Sequence, residues 1–158
     1  MQTDSRVMAY KYFGAGKRQI AKMAWLPATI GHRNIAPAIM PNNITLYHNP
    51  KCSKSRAALE FLKSREIDAN VIEYLKTPPD RQTLQSILAL LEITPGQLLR
   101  RSETVYKTLE LSDRNDDNTL IDAMLEHPVL IERPILTTDD SAVIGRPLDR
   151  IVELIDEL

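Results

Sequence analysis

Apolar residues show no sustained period of 2 or 3.6 before residue 44 and fall into clear blocks from there on. Ile44-Thr45-Leu46-Tyr47-His48 reads as a strand, and the run from Ser53 to Arg65 places Ala57, Ala58, Leu59, Phe61 and Leu62 on one helical face. Val71-Ile72-Glu73-Tyr74-Leu75 predicts a second strand, parallel to the first because a helix separates them. Pro78-Pro79-Asp80 stops it. A helix is expected from about Asp80 on the spacing of Leu84, Ile87, Leu88 and Leu91, and Thr94-Pro95 offers the N-cap and first position of another short one. Asp117 to Glu126 is amphipathic through Leu120, Ile121, Met124 and Leu125, with Asp116 or Asp117 as its cap and His127 as a cation at its C-terminal end. Pro134-Ile135-Leu136-Thr137 and Ala142-Val143-Ile144, around Asp139-Asp140, predict a hairpin. Gly145-Arg146-Pro147 closes the sheet, and Pro147 opens a terminal helix through Ile151, Leu154 and Ile155.

The order β-α-β, helices, β-β-α matches an α/β fold of the thioredoxin/glutaredoxin-like kind, a mixed four-stranded sheet with a helical insertion. At 158 residues, 43% hydrophobic and 26% charged, the chain can build one good core. Residues 1–40 differ in kind, holding three of the five glycines and six Lys/Arg against one acid. They read as a disordered or non-native extension in front of a domain spanning 41–158, with Met40 as the start of the functional chain and the extension dispensable. The remaining 14 basic and 20 acidic residues make that domain acidic, which argues against nucleic acid as its main partner. No apolar run approaches the length of a membrane span, and a single cysteine without a secretory signal points to the cytoplasm. His32, His48 and His127 lack ligand-like spacing, so no metal is expected, and there is no Gly-rich phosphate loop.

Cys52 changes the picture. It sits where the first strand gives way to the first helix, and a helix start leaves backbone N–H groups unpaired and carries partial positive charge. A thiolate there is stabilised, and His48, Lys51 and Lys54 add nearby cationic groups. The same surroundings attract anions. A phosphatase-like thiol loop needs arginine six positions after the cysteine, but that position is Ala58, and Arg56 comes two residues too early. Arg133 and Arg146 each precede a proline at a strand boundary, where loops commonly carry function.

Taken in order, His48-Asn49-Pro50-x-Cys52, Leu98-Leu99-Arg100, His127-Pro128, Glu132-Arg133-Pro134-Ile135 and Gly145-Arg146-Pro147 resemble the glutaredoxin-dependent arsenate reductase family, from about Ile44 to Leu158. The resemblance implies Cys52 as the nucleophile, His48 as an aid to lowering its pKa, and Arg100, Arg133 and Arg146 as the holders of the oxyanion. It also implies that Pro134 is a cis-proline beside the cysteine. Ser53 and Ser55 flank the helix start, as caps or as donors to a bound oxygen. Arsenate is then the substrate, with glutathione as co-substrate, no bound cofactor, glutaredoxin as partner and a monomer expected. A chain with no second cysteine must draw its resolving thiol from outside.

Two other readings stay open. One is a redox adaptor resembling the Spx-type proteins that bind RNA polymerase. Those typically carry Cys-x-x-Cys, whereas the second position here is Ser55. The other is a glutathione-linked thiol oxidoreductase acting on a different substrate.

Overall fold

The computed structural model describes residues 43–158, residue 113 excepted. The expectation for residues 1–40 lies outside the described residues. The described elements run β1 (Thr45–His48), α1 (Ser53–Ser64), β2 (Asn70–Glu73), α2 (Arg81–Leu91), α3 (Pro95–Leu98), α4 (Thr104–Thr108), α5 (Asp117–Glu126), a 3-10 turn (Pro128–Leu130), β3 (Ile135–Thr137), β4 (Ala142–Ile144) and α6 (Asp149–Asp156). The sheet order is β2-β1-β3-β4. β1 runs parallel to β2 and antiparallel to β3, and β3 and β4 form the antiparallel hairpin. This is the mixed four-stranded α/β architecture expected of a thioredoxin-like core.

The strand alternation divides the core between the two faces of the sheet. Leu46 lies opposite Leu136, and both are buried with Ala58 and Leu62 of α1 and Ile151 and Leu154 of α6. Tyr47 lies opposite Ile135 and faces the other way, into a cluster with Leu84, Ile87 and Leu88 of α2, Leu98 of α3, and Leu120, Ile121 and Met124 of α5. The caps read at Thr94 and Asp116 are in place, and Asp80 is a further one. Asp80 accepts from the Thr83 amide at 2.7 Å and Asp116 from the Thr119 amide at 3.1 Å, while Gln97 Oε1 takes the Thr94 amide at 2.9 Å.

Several boundaries differ from the sequence reading. β2 ends at Glu73, not Leu75, because its register partner His48 is the last residue of β1. The chain then turns, with the Lys76 and Thr77 amides both donating to the Glu73 carbonyl, and Tyr74 goes inside. Pro134 brings no N–H to a ladder, so β3 starts at Ile135. Pro147 does not open the terminal helix. Leu148 is the N-cap: the Ile151 and Val152 amides donate to its carbonyl, while the Arg150 amide meets the Pro147 carbonyl at 3.4 Å, and the helix begins at Asp149. The Arg133–Pro134 bond is cis, as expected, and so is Arg146–Pro147. α4 and the 3-10 turn are too short to leave an apolar period in the sequence.

Gly145 sits where these pieces meet. Its amide donates to the Pro134 carbonyl at 2.8 Å. A Cβ built there would overlap Ile151 Cδ1 and stand 3.0 Å from Pro134 Cγ. Ile151 is fully buried and has no room to retreat. Gly145→Ala is therefore expected to cost about 1–3 kcal/mol, seen as a fall of several degrees in Tm. A melt matching the parent protein would show that this corner yields freely.

Candidate active site

Cys52 is the N-cap of α1, with its backbone extended at φ −98 and ψ 122. Its amide donates to the Asn49 carbonyl at 2.9 Å, closing a turn through Pro50 and Lys51, and its carbonyl accepts the Arg56 amide at 3.0 Å. Arg56 Nη1 reaches back to the Pro50 carbonyl at 2.9 Å, and Asn49 Oδ1 accepts the Lys51 amide at 2.9 Å. The loop is therefore held by four hydrogen bonds. The sulfur is partly exposed. Burial pushes the Cys52 thiol up, but the backbone N–H groups of Ser55 and Lys54 and the charges of Arg133 and Arg146 together outweigh it, and the net shift is downward. Arg146 Nη2 lies 3.6 Å from Sγ as a donor.

This corrects part of the electrostatic expectation. The charges that lower the thiol come from two distant arginines; Lys54 contributes its amide, and Lys51 is not among the causes. His48 supplies no cation. It is buried at the end of β1 and its Nδ1 hydrogen-bonds Ser55 Oγ at 2.9 Å. Burial lowers its pKa, opposed by the Ser55 hydrogen bond and the Glu73 charge and reinforced by Arg56 and Lys63. A neutral imidazole results at neutral pH. Ser55 is also not placed as expected. Its side chain is fully buried, with Oγ accepting the Asn49 amide at 2.9 Å as well as meeting His48, so its hydroxyl is neither a helix cap nor a donor to a bound oxygen. Ser53 also makes no capping bond. His48 and Ser55 form a brace beneath the loop that carries Cys52.

The lowered thiol gives a direct test. Thiolate absorbance followed against pH is expected to show a midpoint below the ordinary cysteine value, and Arg146→Ala is expected to move that midpoint up. The sign for stability follows from the same shift. A folded-state pKa held below the unfolded one contributes stability above the unfolded thiol value, and this is lost as pH falls through the folded midpoint. An unshifted titration would count against the helix-start argument.

The three arginines converge from separate segments. An isolated bridge pairs Leu99 with Ile131, so the Arg100 amide donates to the Leu130 carbonyl at 2.7 Å and the Glu132 amide to the Leu98 carbonyl at 2.9 Å. That bridge sets Arg100 beside the segment leading into β3, where Arg133 precedes the buried Pro134. Arg146 follows β4, and its Nε donates to the Arg133 carbonyl at 2.8 Å. Arg100 and Arg133 have side chains only 13% and 12% exposed, against 40% for Arg146. Arg133 Nε and Nη1 are buried without a hydrogen-bond partner. A buried donor without a hydrogen bond is suited to an anion that brings its own acceptors.

Three residues here escaped the sequence reading. Glu103 forms ion pairs with Arg100 and, at 3.6 Å, with Arg133 Nη1. Glu132 Oε2 lies 3.7 Å from Arg146 Nε and 4.0 Å from Arg100 Nε. Their signals were modest: Glu103 comes three residues after Arg100, and Glu132 directly precedes Arg133. Tyr74 is the third. Burial pushes its phenol up to about 12, with Arg133 lowering it and Cys52 and Glu132 raising it, so it stays neutral at the edge of the site. Among the described residues no group of three or more His, Cys, Asp or Glu could hold a metal ion, and no helix is long and apolar enough to cross a membrane.

Comparison with known proteins places this geometry. The chain is 44% identical to an arsenate reductase from Neisseria meningitidis over 110 residues, 68% of this chain and 94% of that protein. It is 40% identical to the uncharacterized protein YfgD of Escherichia coli over 118 residues, 73% of this chain and 99% of that one. The structure of an arsenate reductase from Vibrio cholerae superposes with a TM-score of 0.67 at 40% identity, covering 70% of this chain and 96% of that one. Residues 47–154, from β1 to α6 and including every residue of the thiol and arginine cluster, match the ArsC family, and the chain belongs to it.

Proposed function

We propose that the protein is an arsenate reductase that uses glutathione and glutaredoxin, with Cys52 as nucleophile and Arg100, Arg133 and Arg146 as the oxyanion holders. The observation that carries this reading is one contact and its surroundings. A thiol of lowered pKa at a helix start lies 3.6 Å from Arg146 Nη2, beside an Arg133 guanidinium whose buried Nε and Nη1 make no hydrogen bond. The arsenate reductases at 44% and 40% identity support the choice of oxyanion.

In the first step the Cys52 thiolate forms a bond to arsenic(V), and an arsenate oxygen leaves as water after taking up protons. The arginines neutralise charge on the remaining oxygens. The thiolate of glutathione then attacks Sγ. The sulfur–arsenic bond breaks toward arsenic, whose two gained electrons make it arsenic(III), and arsenite departs. Cys52 is left in a mixed disulfide with glutathione. Glutaredoxin attacks the glutathione sulfur and returns Cys52 as thiolate. His48 and Ser55 hold the loop geometry and take no proton in these steps. Since the one free cysteine is Cys52, an internal disulfide switch of the adaptor kind has no partner in this chain.

The test is arsenate-dependent NADPH consumption in the presence of glutathione, glutaredoxin and glutathione reductase. Turnover that requires all four components is the expected result. Formation of the glutathione mixed disulfide without arsenate turnover would transfer the assignment to a glutathione-linked oxidoreductase with another substrate.

A further inference from the structure

We infer that Glu103 and Glu132 are specificity-determining residues of the arginine site, setting it against doubly charged tetrahedral oxyanions and in favour of singly charged ones. The inference rests on the oxyanion reading of the arginine cluster. Glu103 joins Arg100 to Arg133, and Glu132 joins Arg100 to Arg146. Both carboxylates are about three-quarters buried, at 24% and 27% side-chain exposure, where solvent screens charge poorly. Three guanidiniums against two carboxylates leave a single positive charge, and the Cys52 thiolate cancels it. A doubly charged oxyanion therefore enters a site with no surplus of positive charge, beside two carboxylates already paired with the arginines it needs.

The carboxylates do not close the site. Arg133 Nε remains buried with no hydrogen-bond partner, and the contacts of Glu132 to the arginines, at 3.7 and 4.0 Å, are ion pairs without hydrogen bonds. An incoming anion can thus reach unengaged donors, while each added negative charge is opposed by the two glutamates. The selection is by charge and not by shape, since a tetrahedral anion of either valence presents the same oxygens.

The test uses unreactive anions and the full chain. Sulfate and perchlorate are both tetrahedral and differ in charge, and each is titrated as a protectant of Cys52 against iodoacetamide at a pH above the thiol midpoint. In Glu103→Gln and in Glu132→Gln the half-protecting concentration of sulfate is expected to fall roughly tenfold, with perchlorate moving clearly less. Glu153→Gln on α6 controls for overall charge and is expected to move neither. In the coupled assay the same two variants are expected to lower the arsenate KM more than they change kcat. Unchanged or weaker sulfate protection in the folded variants would overturn the inference, as would equal shifts for the two anions. Each glutamate bridges a different pair of arginines, so one folded variant suffices. Tighter sulfate protection with no arsenate turnover by any form would sink the arsenate assignment and leave this inference standing. Arsenate turnover with unmoved sulfate constants and KM would do the reverse.

Discussion

Cys52→Ser is expected to lose arsenate turnover by at least about a thousandfold while melting as the parent protein does. The loss follows from chemistry, because a serine hydroxyl is a far weaker nucleophile than a thiolate, and the imidazole of His48 is bound to Ser55 beneath the loop. The retained stability follows from position. Cys52 caps α1 without a side-chain capping bond and is partly exposed, and serine is a favoured residue there. Thermal unfolding read beside the coupled assay separates the two. Substantial residual turnover would remove Cys52 from the mechanism, and a collapsed melt would make it a core residue.

Replacing Arg100, Arg133 or Arg146 by Lys is expected to lower arsenate kcat/KM by roughly tenfold or more in each case, about 1.4 kcal/mol of transition-state stabilisation. The reason is the fork and not the charge. Arg146 places Nη2 at Cys52 Sγ and Nε at the Arg133 carbonyl at once, a span that one ammonium cannot cover. Arg133 offers two buried donors from one planar group. Lysine preserves the positive charge that lowers the thiol pKa, so alkylation of Cys52 by a small neutral reagent should change little. Equal losses in turnover and alkylation would mean that the arginines support the thiolate or the fold and do not hold the oxyanion.

Local chemistry was legible in the sequence, as were the β1–β2 and β3–β4 pairings, but the contacts that assemble the site were not. The strand that ends at His48, the helix that starts after Cys52 and the caps at Thr94 and Asp116 each arise from residues within a few positions of one another, and the structure has them where periodicity and capping rules put them. The boundaries that moved are those decided elsewhere. β2 stops at Glu73 because β1 ends opposite it, and α6 starts at Asp149 because the Ile151 and Val152 amides take the Leu148 carbonyl. The same division runs through the site. That Cys52 would be acidified was readable from its place at a helix start, but the two arginines that add to it are 81 and 94 positions away, brought in by the pairing of β3 with β1 and with β4, and Arg100 joins them through a bridge between Leu99 and Ile131 that no local pattern announces. His48 looked like a cation beside the sulfur, and burial made it a neutral strut. Glu103 was not singled out in the sequence, and Glu132 entered only as the first residue of the Glu132–Ile135 motif. Only the folded chain shows them to be the counter-ions of three arginines.

The sheet order has a dynamic consequence. β1, which delivers Cys52, is an interior strand paired on both sides, whereas Arg146 follows β4, a three-residue strand at the edge. Edge segments open locally at lower free energy than interior ones. A brief fraying of β4 would carry Arg146 away from the sulfur while β1, β2 and α1 keep their places, and for that interval the thiol would be less acidic and less nucleophilic. Hydrogen exchange of the Ala142–Ile144 amides and the reactivity of Cys52 are therefore two readouts of one fluctuation.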